Sequence, residues 1–267
     1  MSVNSNLPLL NHPIDEPSVF TPAGLIDDVR RSRGIPDGEL PSVCVLEFDG
    51  DLSDWLIGQG LAKPIPSWPC FHTTMYALQL EDHSYGFIPR TIGGPYAVLI
   101  AEQLAAAGVK VILGLTSAGR VSSDLPVPCL VAATAAIRDE GTSLHYLPVG
   151  KRVDCPTPIV PFLARELAAT NWPVRCGTVW TTDAPYRETQ SQLEAWAQEG
   201  VLAVEMQAAS LFAFGAACGA SVGLVAIVSN AVDHSGQQFD TGTQDDGLRI
   251  LQACFRAARA FLETAAA

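Results

Sequence analysis

Positive charge is scarce in this chain. Sixteen Lys and Arg face 28 Asp and Glu, leaving a net charge of −12. A field of that sign repels polyphosphates, which argues against a nucleic-acid partner. A small anionic substrate therefore needs a local cationic site, and the placement of the arginines becomes decisive. Paired cysteines are absent too. Cys44, Cys70, Cys129, Cys155, Cys176, Cys218 and Cys254 are odd in number and never spaced CxxC. That pattern argues against a disulfide frame or a metal site and for a reduced, cytoplasmic chain. Met1–Pro13 has neither a basic start nor a sustained apolar run, so no signal peptide is expected. Ala208–Val228 carries no charge and is long enough to span a membrane. Gly215, Gly219 and Gly223 interrupt it, however, and Ser221–Val228 turns rich in valine and isoleucine. It reads as a buried helix, a glycine turn and a buried strand, with no membrane partner.

Hydrophobic residues are plentiful, at 48% of 267 residues, enough for one large core. Residues 1–40 open Pro- and Asn-rich and give a short helix over Pro22–Ser32, an N-terminal arm outside the main sheet. From residue 41 to 267, strand and helix signals alternate. Strands are predicted over Ser42–Phe48, Thr73–Leu80, Ser84–Ile88, Lys110–Leu115, Cys129–Ala136, Gly177–Thr181, Val201–Val204 and Val222–Val228. Helices are predicted over Ser53–Leu61, Tyr96–Ala107, Arg187–Glu199, Ala208–Ala217 and Asp246–Thr264. Thr116–Gly119 reads as a polar turn. No internal repeat or low-complexity linker divides the pattern. The alternation implies one three-layer α/β/α domain with a mostly parallel sheet. In such sheets ligands bind beyond the carboxyl ends of the strands.

Several of those strand ends carry chemistry. Glu205-Met206-Gln207 puts a carboxylate, a thioether and an amide on a strand-to-helix turn, suited to sugar hydroxyls on one side and an apolar sugar face on the other. Thr116 and Ser117 place hydroxyls after a buried strand. Gly93-Gly94 before the Tyr96 helix is either a turn needing backbone room or a cradle of backbone N–H groups for an anion. Trp180-Thr181-Thr182-Asp183 is either a stacking aromatic with polar groups for a planar base, or a core Trp with a helix cap.

These segments carry a resemblance. VEMQAASLFAF, IGGPYAVLIAEQLAAAG, LTSAG, AIRDEGTSLHYLP, TVWTTDAPYRET and IVSNAVDH resemble, in order, elements of nucleoside phosphorylases of the uridine phosphorylase type, over most of residues 42–260. The resemblance implies a nucleoside phosphorylase-like fold that cleaves an N-glycosidic bond. It implies ribose contacts from Glu205, Met206, Gln207 and Ser117, and base contacts from Trp180, Thr182, Asp183 and Asn230. Glu205 and Asn230 stand at the catalytic positions. It also implies a homo-oligomer, a dimer or a trimer of dimers. No cofactor is implied beyond inorganic phosphate as a possible co-substrate.

The chain departs from that pattern where anions bind. Leu113, Cys70 and the acidic Phe48-Asp49-Gly50-Asp51 turn stand where the family keeps arginines, and Gln207 replaces a second Glu. The remaining candidates for phosphate or another nucleophile are Gly94, Thr116, Ser117, Arg187, Arg138 and His72, with Arg90 and Arg120 near relevant turns. Asn230 stands where purine-specific relatives keep an acid. An amide cannot donate a catalytic proton but does bond a pyrimidine carbonyl, so a pyrimidine-like or unusual base is favoured. Three functions follow: a phosphorylase with an atypical phosphate site, a phosphate-independent nucleoside hydrolase, or a nucleoside-binding protein without catalysis.

Overall fold

The computed structural model describes residues 7–231 and 243–266. In chain order its elements begin with α1 (Pro22–Arg33), β1 (Val43–Glu47), α2 (Asp51–Gly58) and β2 (Ala62–Pro64). There follow β3 (Tyr76–Leu80), β4 (His83–Pro89), α3 (Gly94–Ala106), β5 (Val111–Arg120), β6 (Cys129–Asp139) and β7 (Arg152–Asp154). The chain then forms α4 (Val160–Leu167), β8 (Val174–Thr182), α5 (Gln190–Gln198), β9 (Ala203–Glu205), α6 (Ala208–Cys218), β10 (Ser221–Ala231) and α7 (Gln244–Ala266).

The strands join one mixed sheet in the order β10-β6-β8-β9-β5-β1-β4-β3-β2, with β7 on the flank of β6. Because β10 also pairs with β5, strands β5, β10, β6, β8 and β9 close on themselves as a ring. From that ring β1, β4, β3 and β2 extend as an open sheet.

Alternation along the strands makes two cores. Cys44, Leu46 and Ile112 point into one, packed under α3 and α6 with Val98, Leu104, Leu211 and Phe214. Val43, Val45, Leu113 and Leu115 point into the other, under α2, α4 and α7 with Leu56, Leu163 and Phe255. Helices therefore cover both faces, as alternating strand and helix signals require. The uncharged stretch divides as its glycines demand. α6 ends at Gly219, which adopts a left-handed φ of 69°, and β10 follows at once. No described helix is long and apolar enough to cross a membrane.

α1 begins at the Thr21 cap, whose hydroxyl accepts from the Gly24 amide, and it packs on α3. His12, further upstream, stacks on His145 with ring centroids 3.9 Å apart.

The sequence reading missed β2, β7 and α4 and set several boundaries short, and two of the boundary differences bear on the site. β5 does not stop at Leu115 but runs to Arg120. Residues 116–120 continue the ladder with β10 as far as Ala231↔Arg120, and Gly119 and Arg120 gain a second partner strand in β9 through Gly119↔Val204. The predicted polar turn is thus the carboxyl end of a paired strand. The helix expected from Arg187 starts later. Pro185–Arg187 form a 3-10 turn, and Thr189 caps α5 in a reciprocal box with Gln192.

Candidate functional site

The carboxyl end of β5 and the β9–α6 turn border one cavity of about 590 Å³. Thr116, Ser117 and Gly119 line it from β5, and Val204, Glu205, Met206 and Gln207 from β9 and the turn after it. Ile92, Asp49, Pro185, Tyr186 and Glu188 complete the wall. Met206, Gln207, Glu205, Thr116 and Ser117 are therefore brought together as the sequence implied.

The turn 205–207 distributes its polar groups unequally. Glu205 is only 3% exposed. One carboxylate oxygen accepts from Thr181 Oγ1 at 2.5 Å, and the other accepts the Gln207 and Ala208 amides at 2.6 and 2.8 Å. It thus satisfies the open N–H groups at the start of α6. Burial pushes its carboxyl up to about 7, against the pull of those three donors. Three of the roughly four acceptor sites of the carboxylate are thereby occupied. Gln207 Oε1 accepts the Met206 amide at 3.2 Å and lies 3.4 Å from Thr116 Oγ1. Its amide nitrogen has no partner among the described residues and remains available to a ligand oxygen.

Ser117 is held by an acid. Its amide and hydroxyl both donate to Asp49, each at 2.8 Å. The β1–α2 turn aims Asp49 there. Buried Glu47 accepts the Gly50 amide at 2.8 Å and the Ser53 hydroxyl at 2.6 Å, tying the turn down on both sides of Asp51. Gly50, at φ 94°, lies so close to Arg90 that a Cβ would fall 2.6 Å from its side chain. Burial raises the Asp49 carboxyl above the usual range, and the two bonds from Ser117 oppose that rise.

The remaining sequence candidates part company. Trp180 is fully buried with Ile137, Val201 and Val204, and its indole N–H donates to Asp139 at 3.0 Å. It offers no face to a base, and its core role prevails. Thr182 is buried and accepts the Ala184 amide at 3.2 Å, as a turn cap. Asp183 turns away and accepts the Gly141 amide at 2.9 Å, lining a separate cavity with Glu102, His145 and Tyr146.

Arg138 is not free for an anion. Its guanidinium donates to Ser143 Oγ and to the carbonyls of Ser143, Leu147 and Pro148, so it organises the segment after β6. Arg90 is ion-paired with Asp54. Arg187 is exposed and outside the cavity wall. His72 bonds the Tyr96 hydroxyl at 3.2 Å, also outside it. Gly94 is needed for packing: a Cβ there would meet Ser210 Oγ at 2.1 Å. Asn230 has its backbone paired with Gly119 in the β10–β5 ladder, at the rim of the site. Asp233 and His234 lie outside the described residues.

Three residues on the wall escaped the sequence reading. Asp49 was noticed as acidic, but its bond to Ser117 crosses 68 positions and no spacing rule reaches that far. Tyr186 is 99% exposed at the cavity wall, an aromatic surface of the kind assigned to Trp180. Glu188 is half-buried and burial pushes its carboxyl up to about 7, with no hydrogen-bond partner for that carboxyl among the described residues. The capping pattern Thr189-x-x-Gln192 was the available signal that the segment before it is a turn.

A family model described as "Phosphorylase superfamily" matches residues 59–263. Among similar curated proteins, a guanosine phosphorylase of Halorubrum lacusprofundi is 30% identical over 141 residues, covering 51% of this chain and 57% of that protein. A uridine phosphorylase of Escherichia coli is 26% identical over 182 residues, covering 61% and 70%. A DeoD-type purine nucleoside phosphorylase of Myxococcus xanthus is 30% identical over 138 residues, covering 51% and 58%. The matches thus span little more than half the length of the first and third of these relatives.

Proposed function

The chain belongs to the phosphorylase superfamily, and from that premise we propose that it cleaves the N-glycosidic bond of a nucleoside or nucleoside-like molecule. The observation that carries the reading is the meeting of Thr116–Ser117 with Met206–Gln207 around one cavity of about 590 Å³, within the usual size of a small-ligand site. Gln207 takes sugar hydroxyls through its amide, and Met206 packs on the apolar sugar face. Tyr186 stacks on the base, and Asn230 bonds its edge. As the C1′–N bond breaks, its electron pair leaves with the base and the sugar becomes oxocarbenium-like. A nucleophile on the Ser117 side then closes on the sugar carbon.

A second reading concerns that nucleophile. An anion approaching Ser117 meets the Asp49 carboxylate, bound there through two 2.8 Å bonds, and Arg138 is committed elsewhere. This favours water over phosphate, with Asp49 as the group that accepts the water proton. In the phosphorolytic alternative, Thr116 and Ser117 hold phosphate, Ser117 only after Asp49 releases it. The same functional reading includes a cytoplasmic homo-oligomer, and the exposed Phe71, Ile92 and Leu99 offer apolar surface for it. Light scattering tests that assembly.

A nucleoside panel incubated with and without phosphate tests the chemistry. Base release without phosphate supports hydrolysis, and release only with phosphate supports phosphorolysis. Binding without release overturns the enzymatic reading.

A further inference from the structure

Three carboxylates line the cavity: Asp49, Glu188 and Glu205. Two are committed. Asp49 accepts both donors of Ser117, and Glu205 accepts Thr181 and two backbone amides at the head of α6. Glu188 alone has no hydrogen bond or ion pair to its carboxyl among the described residues. It sits between the 3-10 turn Pro185–Arg187 and the Thr189 cap of α5, beside Pro185 and Tyr186 on the same wall.

We propose that Glu188 is the acid that protonates the departing base. The inference rests on the glycosidic-cleavage reading above. It fills a gap in that reading, because Asn230 has no proton to give and the carboxylates at Ser117 and α6 are held by other donors. Desolvation alone raises the Glu188 carboxyl to about 7, so near neutrality a sizeable fraction carries the proton such a step needs. Arg187, the adjacent cation, is exposed and off the cavity wall, and Tyr186 is solvent-facing.

The balance of the step is simple. The C1′–N bond breaks, its electron pair moves onto the base, and the Glu188 proton moves to a ring nitrogen or oxygen of that base. The resulting carboxylate regains a proton from solvent once the base has left. The substrate class widens accordingly. With an acid in place, bases that depart only when protonated become usable, beyond the pyrimidine-like bases to which an amide at 230 alone points.

The experiment pairs two substrates with one variant, Glu188→Gln, which keeps size and polarity but cannot transfer the proton. Departure of a purine or pyrimidine base is assisted by leaving-group protonation, whereas p-nitrophenyl β-riboside releases a phenolate that gains nothing from it. General acid catalysis is worth roughly 10²–10⁴-fold. We therefore expect kcat/KM for the best natural nucleoside to fall by about that factor in Glu188→Gln, with cleavage of the p-nitrophenyl riboside unchanged. Equal activity of variant and wild type on the nucleoside overturns the assignment and leaves the functional reading standing. Equal losses on both substrates also overturn it, since they mark a general structural role. Failure of the wild type to cleave either substrate overturns the functional reading and the assignment with it.

Discussion

Glu205 illustrates how one side chain sits between fold and site. Removing its carboxylate leaves the Gln207 and Ala208 amides and the Thr181 hydroxyl without their acceptor. Each unsatisfied buried polar group costs about 1–3 kcal/mol, so Glu205→Ala is expected to lower the urea midpoint markedly. The measurement is equilibrium unfolding followed by circular dichroism, and an unchanged midpoint would show that water replaces the carboxylate. Its titration gives a second expectation. The folded-state value, about 7, lies above the 4.5 of an ordinary glutamate carboxyl, so the folded state binds more protons between those two values. Stability therefore falls as pH rises from about 4.5 to 7, the reverse of an ordinary salt-bridged carboxylate. Glu205→Gln removes this group's share of the decline, read as the difference in unfolding free energy between pH 5 and pH 7 in the two proteins.

Among the elements, α3 and α6 meet closely at Gly94 and Ser210, where a Cβ would fall 2.1 Å from a hydroxyl oxygen. Ser210 Oγ is not free to move, because it donates to Glu140 at 2.6 Å. Overpacking of this kind costs about 1–3 kcal/mol. Gly94→Ala should accordingly lower the thermal midpoint, and adding Ser210→Gly should relieve the clash while losing the bond to Glu140. A Gly94→Ala variant as stable as wild type would refute the contact. The sequence revealed that Gly94 was special but left two reasons open, backbone room or an anion cradle. The need for room comes from a residue 116 positions away, Ser210.

The same limit recurs through the site. Continuous apolar runs made β1, β10 and α6 legible, and so did the glycine stop at 219. The Glu205-Met206-Gln207 turn and Ser117 were legible as candidates for the cavity wall because each stands at a strand end. What spacing could not supply was partner choice. Arg138 closes on carbonyls of its own following segment, Trp180 finds Asp139 in the core, and Asp49 finds Ser117. The end of β5 was misplaced for a related reason: polar residues suggest a turn, yet the ladder with β10, joined by β9 at Gly119 and Arg120, holds them extended.

Over the whole molecule, the deficit of positive charge seen in composition returns as local geometry. The net charge is −12, and the hydroxyl best placed to hold an anion is already bound to Asp49. Charge-assisted contacts to an anion contribute about 1.5–3 kcal/mol each, and the positions where the resemblance expects arginines carry Leu113, Cys70 and the Asp49-Gly50-Asp51 turn. Calorimetric titration with inorganic phosphate is expected to give no saturation at low millimolar concentration. Asp49→Asn should raise phosphate affinity by removing the repelling charge. Tight binding by the wild-type chain would restore phosphate as the nucleophile.

The closed ring of β5, β10, β6, β8 and β9 bears on how copies of this chain behave when crowded. Where both edges of a strand are paired within its own sheet it cannot recruit a neighbour's strand, so the ring offers little template for runaway self-association outside stretches such as residues 174–177 of β8, which pair with β6 alone among the described strands. Among the described residues the outermost strands are β2 and β7, each three residues long. β2 ends in exposed Lys63 and Pro64, and β7 carries the Arg152–Asp154 ion pair. Short length, charge and a missing donor are the means by which strand edges are kept from sticking. Replacing Lys63 and Pro64 together by valine should leave the cavity untouched yet cause turbidity on mild heating. The protein's resistance to aggregation would then depend on a three-residue strand far along the sheet from the ring.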